Sequence, residues 1–588
     1  MSNSNNSSNT TNNNSLKINL NISPSNSSQT SSTIPTNQVP NMQFSNVQPQ
    51  FQMNNNNLFS NQIQMQTQST TTGYTPNYQQ NNLQETVDYS NKNFKDDDEI
   101  SKKETNTTKN ETPNFNLHDI MSLNVKTNKL KVKLDRNNDR KIPIHVSYTV
   151  TDTDFNLANR ANVDLVCVID KSGSMQGEKM QLVKDSFKYL LELLGDNDRL
   201  SVIIFENSSA RISNLTRTTN ENKIILQQNI NKITAGGGTN INSGVSMALE
   251  VLKQRRFKNE QASIFVLSDG CDNVGKNAKT AIKNTIEKYE QDESIIGSYT
   301  INTFGYGKDT DSETMSGIAD LKDGTFFFID KLEMIDECFV DCLGAIITSV
   351  GQNVNIVVSS QSSEIFNNIN FSRGMGGNKL WVWNNSKTEF NTKVTKIIVG
   401  KTKDFILELT IPKTNYTVES LTEVQVVNVV LTAETFNVGG NVEIIKKTAE
   451  LKIKVFSDNI DDKEEDEVAP ELVVNYFRLK LAEIMQEARD LAEKQKYDEA
   501  KKLLNSLQEE LINSKFIDNE KIKLLIEEIK IAVRDVQPEV YTVSGSHNII
   551  SNMNCNLKQK SAPTNVQHGN YSNSHQMMMN NNLKMQKK

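Results

Sequence analysis

Cysteine is scarce in this chain: five in 588 residues, at Cys167, Cys271, Cys338, Cys342 and Cys555. An odd, scattered set excludes a disulfide-framed fold and fits a reducing compartment. No run reaches the roughly 18 consecutive apolar residues of a membrane span. The opening Met1-Ser2-Asn3-Ser4 starts a polar stretch without the apolar centre of a secretory signal. A cytoplasmic, intracellular protein with no membrane span is therefore expected. An excess of basic charge is also missing: 64 basic residues face 71 acidic ones, a net charge of −7. That leaves no electrostatic footprint for nucleic acid. The five histidines, His118, His145, His547, His568 and His575, fall in expected strands or polar flanks, and none pairs with a nucleophile.

Apolar residues are sparse at both ends. Residues 1–112 are dominated by Asn, Gln, Ser and Thr with scattered Pro. Such a composition buries too little apolar surface to offset chain entropy, so the region reads as disordered. Asn/Gln-rich tracts are also prone to self-association. Residues 537–588 share the character and read as a disordered tail. A folded core is expected over about 115–536.

Inside that core, the most informative feature is a hydrophobic strand that ends in oxygen atoms. Val163 to Ile169 runs into Asp170-Lys171-Ser172-Gly173-Ser174, which presents a carboxylate and two hydroxyls at alternate positions. Further on, Ala235-Gly236-Gly237-Gly238-Thr239-Asn240 is a glycine turn delivering a hydroxyl, and the run Ser263 to Leu267 ends in Ser268-Asp269-Gly270. In an open α/β sheet, ligands sit outside the carboxyl ends of the strands. Three loops at one rim would gather Asp170, Ser172, Ser174, Thr239 and Asp269 around one ion. An oxygen-only set without Cys or His suits a small hard cation such as Mg²⁺, or Mn²⁺. Ser and Asp also cap helices, so caps and turns are the plainer alternative. A glycine turn can cradle phosphate, but a phosphate loop brings Gly-Lys-Ser/Thr next; here Asn240-Ile241-Asn242 follows.

Asp-x-Ser-x-Ser, a later Thr after Gly-Gly, and Leu-Ser-Asp-Gly resemble the metal-ion-dependent adhesion site of the von Willebrand factor A domain family. The resemblance covers roughly residues 160–350, and all five motif positions are present. It implies that Ser and Thr oxygens touch the ion, that the acids act directly or through water, and that a partner's carboxylate completes the coordination.

Strand and helix patterns alternate through residues 161–350, which implies a Rossmann-like, doubly wound, mostly parallel sheet. Met180, Val183, Phe187, Leu190, Leu191 and Leu194 mark one apolar helix face. Strands are expected at 200–205, 295–304 and 325–329, and a last helix at 331–350. Cys338 and Cys342 share a face of that helix and read as buried packing. Short alternating runs flank the domain, within 113–160 before it and 351–457 after it. They suggest a β-sandwich into which the α/β domain is inserted. Trp381 and Trp383 alternate, which puts both on one face of the sandwich, with core packing the default. An acidic linker (458–470) leads to a helical domain (471–536), a small hairpin or bundle.

The same order of domains resembles plant and protist A-domain proteins, some of which carry a RING ubiquitin-ligase module in front. A RING needs about eight closely spaced Cys/His ligands, so ligase activity is not expected to carry over to a chain with these five cysteines. The expected function is non-enzymatic: a metal-dependent protein-interaction module that takes a partner's Glu or Asp on its divalent cation. One alternative is an assembly scaffold driven by the Asn/Gln-rich ends. Another is a metal-assisted hydrolase, which needs a base near the ion that the motifs do not supply.

Overall fold

Alternating and continuous apolar runs end up in different sheets. The alternating strands β1 (Met121–Thr127), β2 (Lys129–Lys133) and β3 (Arg140–Val150) come first, preceded by a short helical turn at Leu117–Ile120. Their burial alternates, as in sheets with one wet face. The computed structural model describes residues 117–152, 160–272, 277–292, 297–329, 331, 334–436, 442–466, 469–560 and 571–586. The polar region expected to be disordered over 1–112 lies outside the described residues.

The continuous runs form the central domain. In chain order these are β4 (Val163–Asp170), α1 (Glu178–Leu193), β5 (Arg199–Phe205), β6 (Ser209–Arg211), β7 (Thr216–Arg217), α2 (Asn220–Asn231), α3 (Ile241–Gln254) and β8 (Gln261–Ser268). Then come α4 (Ala278–Tyr289), β9 (Thr300–Tyr306), α5 (Ser312–Asp320), β10 (Phe326–Ile329) and α6 (Ile335–Ile347). Every residue of β4, β5, β8 and β9 is buried, because helices cover both faces of their sheet. The sheet runs β10-β9-β8-β4-β5-β6; its pairs are parallel except those of β6 and β7, which both run antiparallel to β5. The strand expected at 295–304 is seen as β9, shifted toward the carboxyl side.

Helix packing follows the apolar spacing. All six residues of the face predicted for α1 are buried, from Met180 to Leu194. Helix α3 lies tight on the sheet at Gly244, where a Cβ would come within 2.5 Å of Val168 and 2.9 Å of Phe205. Cys338 and Cys342 are buried packing residues outside any disulfide. At the amino end of β4, Asp164 accepts hydrogen bonds from Arg199 Nε (2.7 Å) and Arg255 Nη1 (2.8 Å). All three side chains are buried, a charge cluster invisible in the hydrophobic pattern.

After α6 the alternating pattern resumes: β11 (Ser349–Ser360), β12 (Asn370–Gly374), β13 (Val382–Trp383), β14 (Glu389–Ile398), β15 (Lys401–Ile411), β16 (Thr422–Phe436), β17 (Val442–Phe456) and β18 (Glu465–Asp466). One sheet has the order β1-β3-β15-β12, the other β13-β14-β11-β16-β17-β2-β18. Each mixes strands from both sides of the α/β domain; β3 pairs with β15 from Val150↔Lys401 to Arg140↔Ile411. Their inner faces share one apolar core. The α/β domain is thus inserted in a sandwich, between β3 and β11.

Two expectations for this region change. Trp381 is buried, and its Nε1 donates to the Met375 carbonyl at 3.1 Å. Trp383 is partly exposed and stacks on Phe390, because only Val382–Trp383 are in strand conformation and the simple alternation does not extend back to Trp381. The acidic stretch is also more than a linker: β18 pairs with β2, and Asp458 and Asp462 form ion pairs with Lys133 and Lys131.

Helices α7 (Pro470–Glu493), α8 (Tyr497–Ile512) and α9 (Glu520–Asp535) form the helical domain. The tail beyond them is the main correction. In place of a disordered segment over 537–588, the described residues include helices α10 (Ser546–Lys558) and α11 (Ser574–Gln586). The few apolar residues of α10, among them Ile549, Ile550, Met553 and Leu557, are buried, and the helix packs against α7 and α5. The amide side chains find partners: Asn573 Nδ2 donates to Thr348 Oγ1 (2.9 Å) and to the Val399 carbonyl (3.0 Å), and Gln576 Nε2 donates to the Asp341 carbonyl (2.8 Å). Buried amides that are hydrogen-bonded cost little, so polar composition does not prevent folding here. No helix among the described residues is long and apolar enough to cross a membrane.

Candidate functional site

The chain leaves β4, passes to β5 on one side, and later returns to β8 on the other. The sheet therefore changes winding direction between β4 and β8, where the outgoing connections diverge and leave a crevice. Asp170 is the last residue of β4, and Asp269 follows the last residue of β8. Both carboxylates are fully buried at this rim.

Hydrogen bonds tie the loops together. Asp170 Oδ1 accepts from the Ser172 backbone N–H at 2.8 Å, and Oδ2 accepts from Ser268 Oγ at 2.5 Å, linking the first loop to the third. Ser172 Oγ and Ser174 Oγ are 3.1 Å apart. The glycine turn docks on the first loop through Gly236 N–H to the Lys171 carbonyl (2.6 Å) and Gly173 N–H to the Gly237 carbonyl (3.0 Å). Gly237 has φ 91°, and a Cβ there would overlap Glu206, so no other residue fits the turn. Thr239 follows it, buried at the start of α3. The structure thus brings Asp170, Ser172 and Ser174 into one hydrogen-bonded group and puts the loops bearing Thr239 and Asp269 against it. Ser174 is exposed and the other four are buried.

Burial pushes the Asp170 carboxyl up to about 6, against the opposing pull of hydrogen bonds from Ser268 and Ser172. Those donors are neutral, so this buried carboxylate has a charge that the protein only partly stabilises. Asp269 is treated differently. Lys179, in the first turn of α1, donates from Nζ to Asp269 Oδ2 at 2.9 Å and to Asp309 Oδ2 at 2.7 Å. Burial works against the Lys179 charge, but Asp309 and Asp269 outweigh it and hold the ammonium above its usual range.

Lys179, Ser268 and Asp309 were not singled out from the sequence. For Lys179 a signal existed: a cation in the first turn opposes the helix dipole, which favours a paired role. Among the described residues, no three His, Cys, Asp or Glu side chains form a metal-holding group. The rim offers two carboxylates, so an ion here would draw on hydroxyl oxygens and water. That donor set fits a hard divalent cation. Beside the rim, a cavity of about 370 Å³ runs from Asn240 along α3 to Tyr289.

The family model described as von Willebrand factor type A domain matches residues 165–271. The chain is 36% identical over 125 residues to "Probable E3 ubiquitin-protein ligase WAVH2" of Arabidopsis thaliana, covering 20% of this chain and 17% of that protein. It is 25% identical over 258 residues to "E3 ubiquitin-protein ligase WAV3" of the same plant, covering 44% of this chain and 32% of that one. The matches thus span about a sixth to a third of the length of these relatives. Among solved structures, "von Willebrand factor type A from Catenulispora acidiphila" aligns with a TM-score of 0.51 at 17% identity, covering 69% of this chain and 88% of that one. That likeness concerns the fold.

Proposed function

The central domain of this chain is a von Willebrand factor A domain, and on that basis we propose that it is a metal-dependent protein-interaction module. Asp170, Ser172, Ser174, Thr239 and Asp269 would hold Mg²⁺ or Mn²⁺. The bound cation would supply one electrophilic position for a Glu or Asp side chain of a partner. Three of the five donors are neutral hydroxyls, so the ion stays electrophilic toward an incoming carboxylate.

The observation that carries this reading is Asp170. It is fully buried at the switch point of the sheet, and its hydrogen bonds come from neutral donors. A carboxylate in that setting is stabilised most by a cation. The hydroxyls of Ser172 and Ser174 lie on the same loop, at the spacing a shared ion needs. The groove from Asn240 to Tyr289 would take flanking residues of the partner. Ubiquitin transfer is not part of the proposal, although two relatives bear ligase names. Cys167, Cys338, Cys342 and Cys555 are buried, single packing residues rather than zinc ligands, and Cys271 alone is exposed. Five cysteines outside any disulfide support a reducing, cytoplasmic setting for the interaction.

Two measurements on the full chain test the reading. Calorimetric titration with Mg²⁺ and Mn²⁺ should give one site, lost in Thr239→Ala and Asp170→Ala. Capture from lysate should then retain proteins with Mg²⁺ that EDTA releases and that Thr239→Ala does not hold. Metal-independent capture by both forms, or no metal heat in the unmodified chain, overturns the proposal.

A further inference from the structure

A second polar centre lies at the opposite end of the α/β domain from Asp170 and Asp269, where β9 and β10 begin. There α6, β14, β15 and the segment following α10 close around a cavity of about 60 Å³. Four lysines line it: Lys396 from β14, Lys401 and Lys403 from β15, and Lys560 beyond α10. The acids lining it are Asp323, before β10, and Asp341 of α6. Burial works against the charge of all four, driving Lys403 well below the usual ammonium range and lowering Lys396, Lys401 and Lys560 as well.

The lysines are not neutralised one by one. Lys560 Nζ is 3.0 Å from Asp323 Oδ1, a direct ion pair. Lys401 donates to the Tyr571 carbonyl, and Lys403 to the carbonyls of Lys558 and Gln559, all neutral acceptors. Lys396 Nζ is buried with no hydrogen-bond partner among the described residues, although part of its stem reaches solvent. A donor left unpaired in this way costs more than almost any other buried group. Burial pushes Lys396 down to about 7 and Lys401 down to about 8, and the charge of Lys560 adds to both effects. Burial would raise Asp323, yet Lys560 and Lys558 hold it well below the usual carboxylate range. Asp323 is thus already committed to Lys560. Water would fill the volume but supplies no negative charge to the lysines.

We infer that this cavity binds a small tetrahedral dianion, with inorganic phosphate as the fitting species, and that Lys396 is its unpaired donor. The ion would join the three parts that meet here: α6 of the α/β domain, β14 and β15 of the sandwich, and the carboxyl-terminal segment bearing Lys560. Anion binding would therefore tighten the docking of that segment. The proposal is independent of the metal reading, since the two sites share no residue.

The test is thermal unfolding of the full chain in a buffer free of oxyanions. Sodium phosphate is titrated against sodium chloride at matched ionic strength, and inositol hexakisphosphate serves as an oversized probe. Phosphate should raise the midpoint by a few degrees and saturate, as mass action at one site requires, while chloride gives no saturable rise. Lys396→Met should start from a higher midpoint without phosphate and lose the saturable rise. Lys401→Met, a second variant of the same cluster, should weaken it. Coincident phosphate and chloride curves overturn the proposal. So does an unchanged saturable response in both variants, which would place the bound phosphate at another site. A stronger response to inositol hexakisphosphate than to phosphate also overturns it, because that ion cannot enter the cavity.

Discussion

Lys179 and Asp269 form an ion pair at the rim of the sheet, with Nζ 2.9 Å from Oδ2, and Lys179 holds Asp309 through the same nitrogen. The pair gives the rim a fixed positive charge next to the candidate cation position. Two unit charges about 8 Å apart repel by about 2 kcal/mol at the effective dielectric of a protein surface, twice that when one is divalent, and salt screening reduces it. Lys179→Met should therefore bind Mg²⁺ up to about tenfold more tightly, that factor corresponding to 1.4 kcal/mol. Calorimetric titration checks it. Weaker binding would instead mean that Lys179 acts chiefly by orienting Asp269.

The metal reading also carries a stability prediction. A ligand that binds only the folded state stabilises by RT ln(1 + [L]/Kd), about 2.7 kcal/mol at a hundredfold excess over Kd. Mg²⁺ should raise the unfolding midpoint of the full chain, and EDTA should return it. Asp170→Asn removes the buried charge, so its midpoint without metal should match or exceed that of the unmodified chain while the Mg²⁺ increment disappears. A persistent increment in that variant would assign the ion to another place.

At the other end of β4, Asp164 carries two buried arginines, Arg199 and Arg255. Removing one member of a buried ion cluster strands the remaining charges and costs about 3–5 kcal/mol. Asp164→Asn should lose stability on that scale, because both guanidinium groups would be left with a neutral neighbour. Denaturant unfolding measures it. Burial also lowers Arg255 despite Asp164 beside it, which agrees with a site where charge is costly.

Much of this architecture was legible because it rests on patterns. The unbroken run Val163 to Ile169 signals a strand covered on both faces, and its end at Asp170 fixes the rim. The spacing from Met180 to Leu194 signals the buried helix face. Alternation in 142–150 signals a one-sided sheet, while its pairing with β15 is seen only in the structure. What stayed hidden depends on partners far along the chain. Nothing near Asn573 or Gln576 announces that Thr348, Val399 and the Asp341 carbonyl will satisfy their amides. Composition counts such residues as solvent-seeking, whereas their burial depends on complementary groups. Lys396, Lys401 and Lys403 likewise read as the wet face of strands, and only the tail covers them. Among the site residues, Lys179 was hidden for the same reason: its acceptors lie on two later loops.

The folded tail gives a direct test of that correction. A chain ending at Val536 would uncover the surface under Ile549, Ile550 and Met553, which are buried in α10. Burying such side chains is worth about 1.5–3 kcal/mol each, less the entropy of ordering the segment. The shortened chain should melt several degrees lower and bind an apolar dye more strongly, and it also loses His547, which bonds Ser312 and the Lys308 carbonyl in the loop beside Asp269. An unchanged midpoint would return the tail to its expected disordered state.

The lysine cluster predicts an unusual pH dependence. Lys396 falls to about 7 in the folded chain from an ordinary value of 10.5, and Lys401 to about 8. Below about 7 both states hold the proton, and the folded protein bears the full cost of the buried charge. Between the folded and ordinary values the unfolded chain binds more protons, so stability rises with pH. One lysine contributes a slope of at most about 1.4 kcal/mol per pH unit. Denaturant unfolding in oxyanion-free buffer should therefore show stability increasing from pH 7 to 9. At the top of that window the buried thiols of Cys167 and Cys342, pushed far up by burial, begin to oppose the rise, and the buried tyrosines Tyr148, Tyr306 and Tyr571 oppose it at higher pH. Lys396→Met should flatten the slope by removing one titrating group. Saturating phosphate should flatten it as well, because a bound dianion returns the lysines toward their ordinary range. A flat profile in the unmodified chain would mean that these ammonium groups are already compensated, and the cavity would then need no anion.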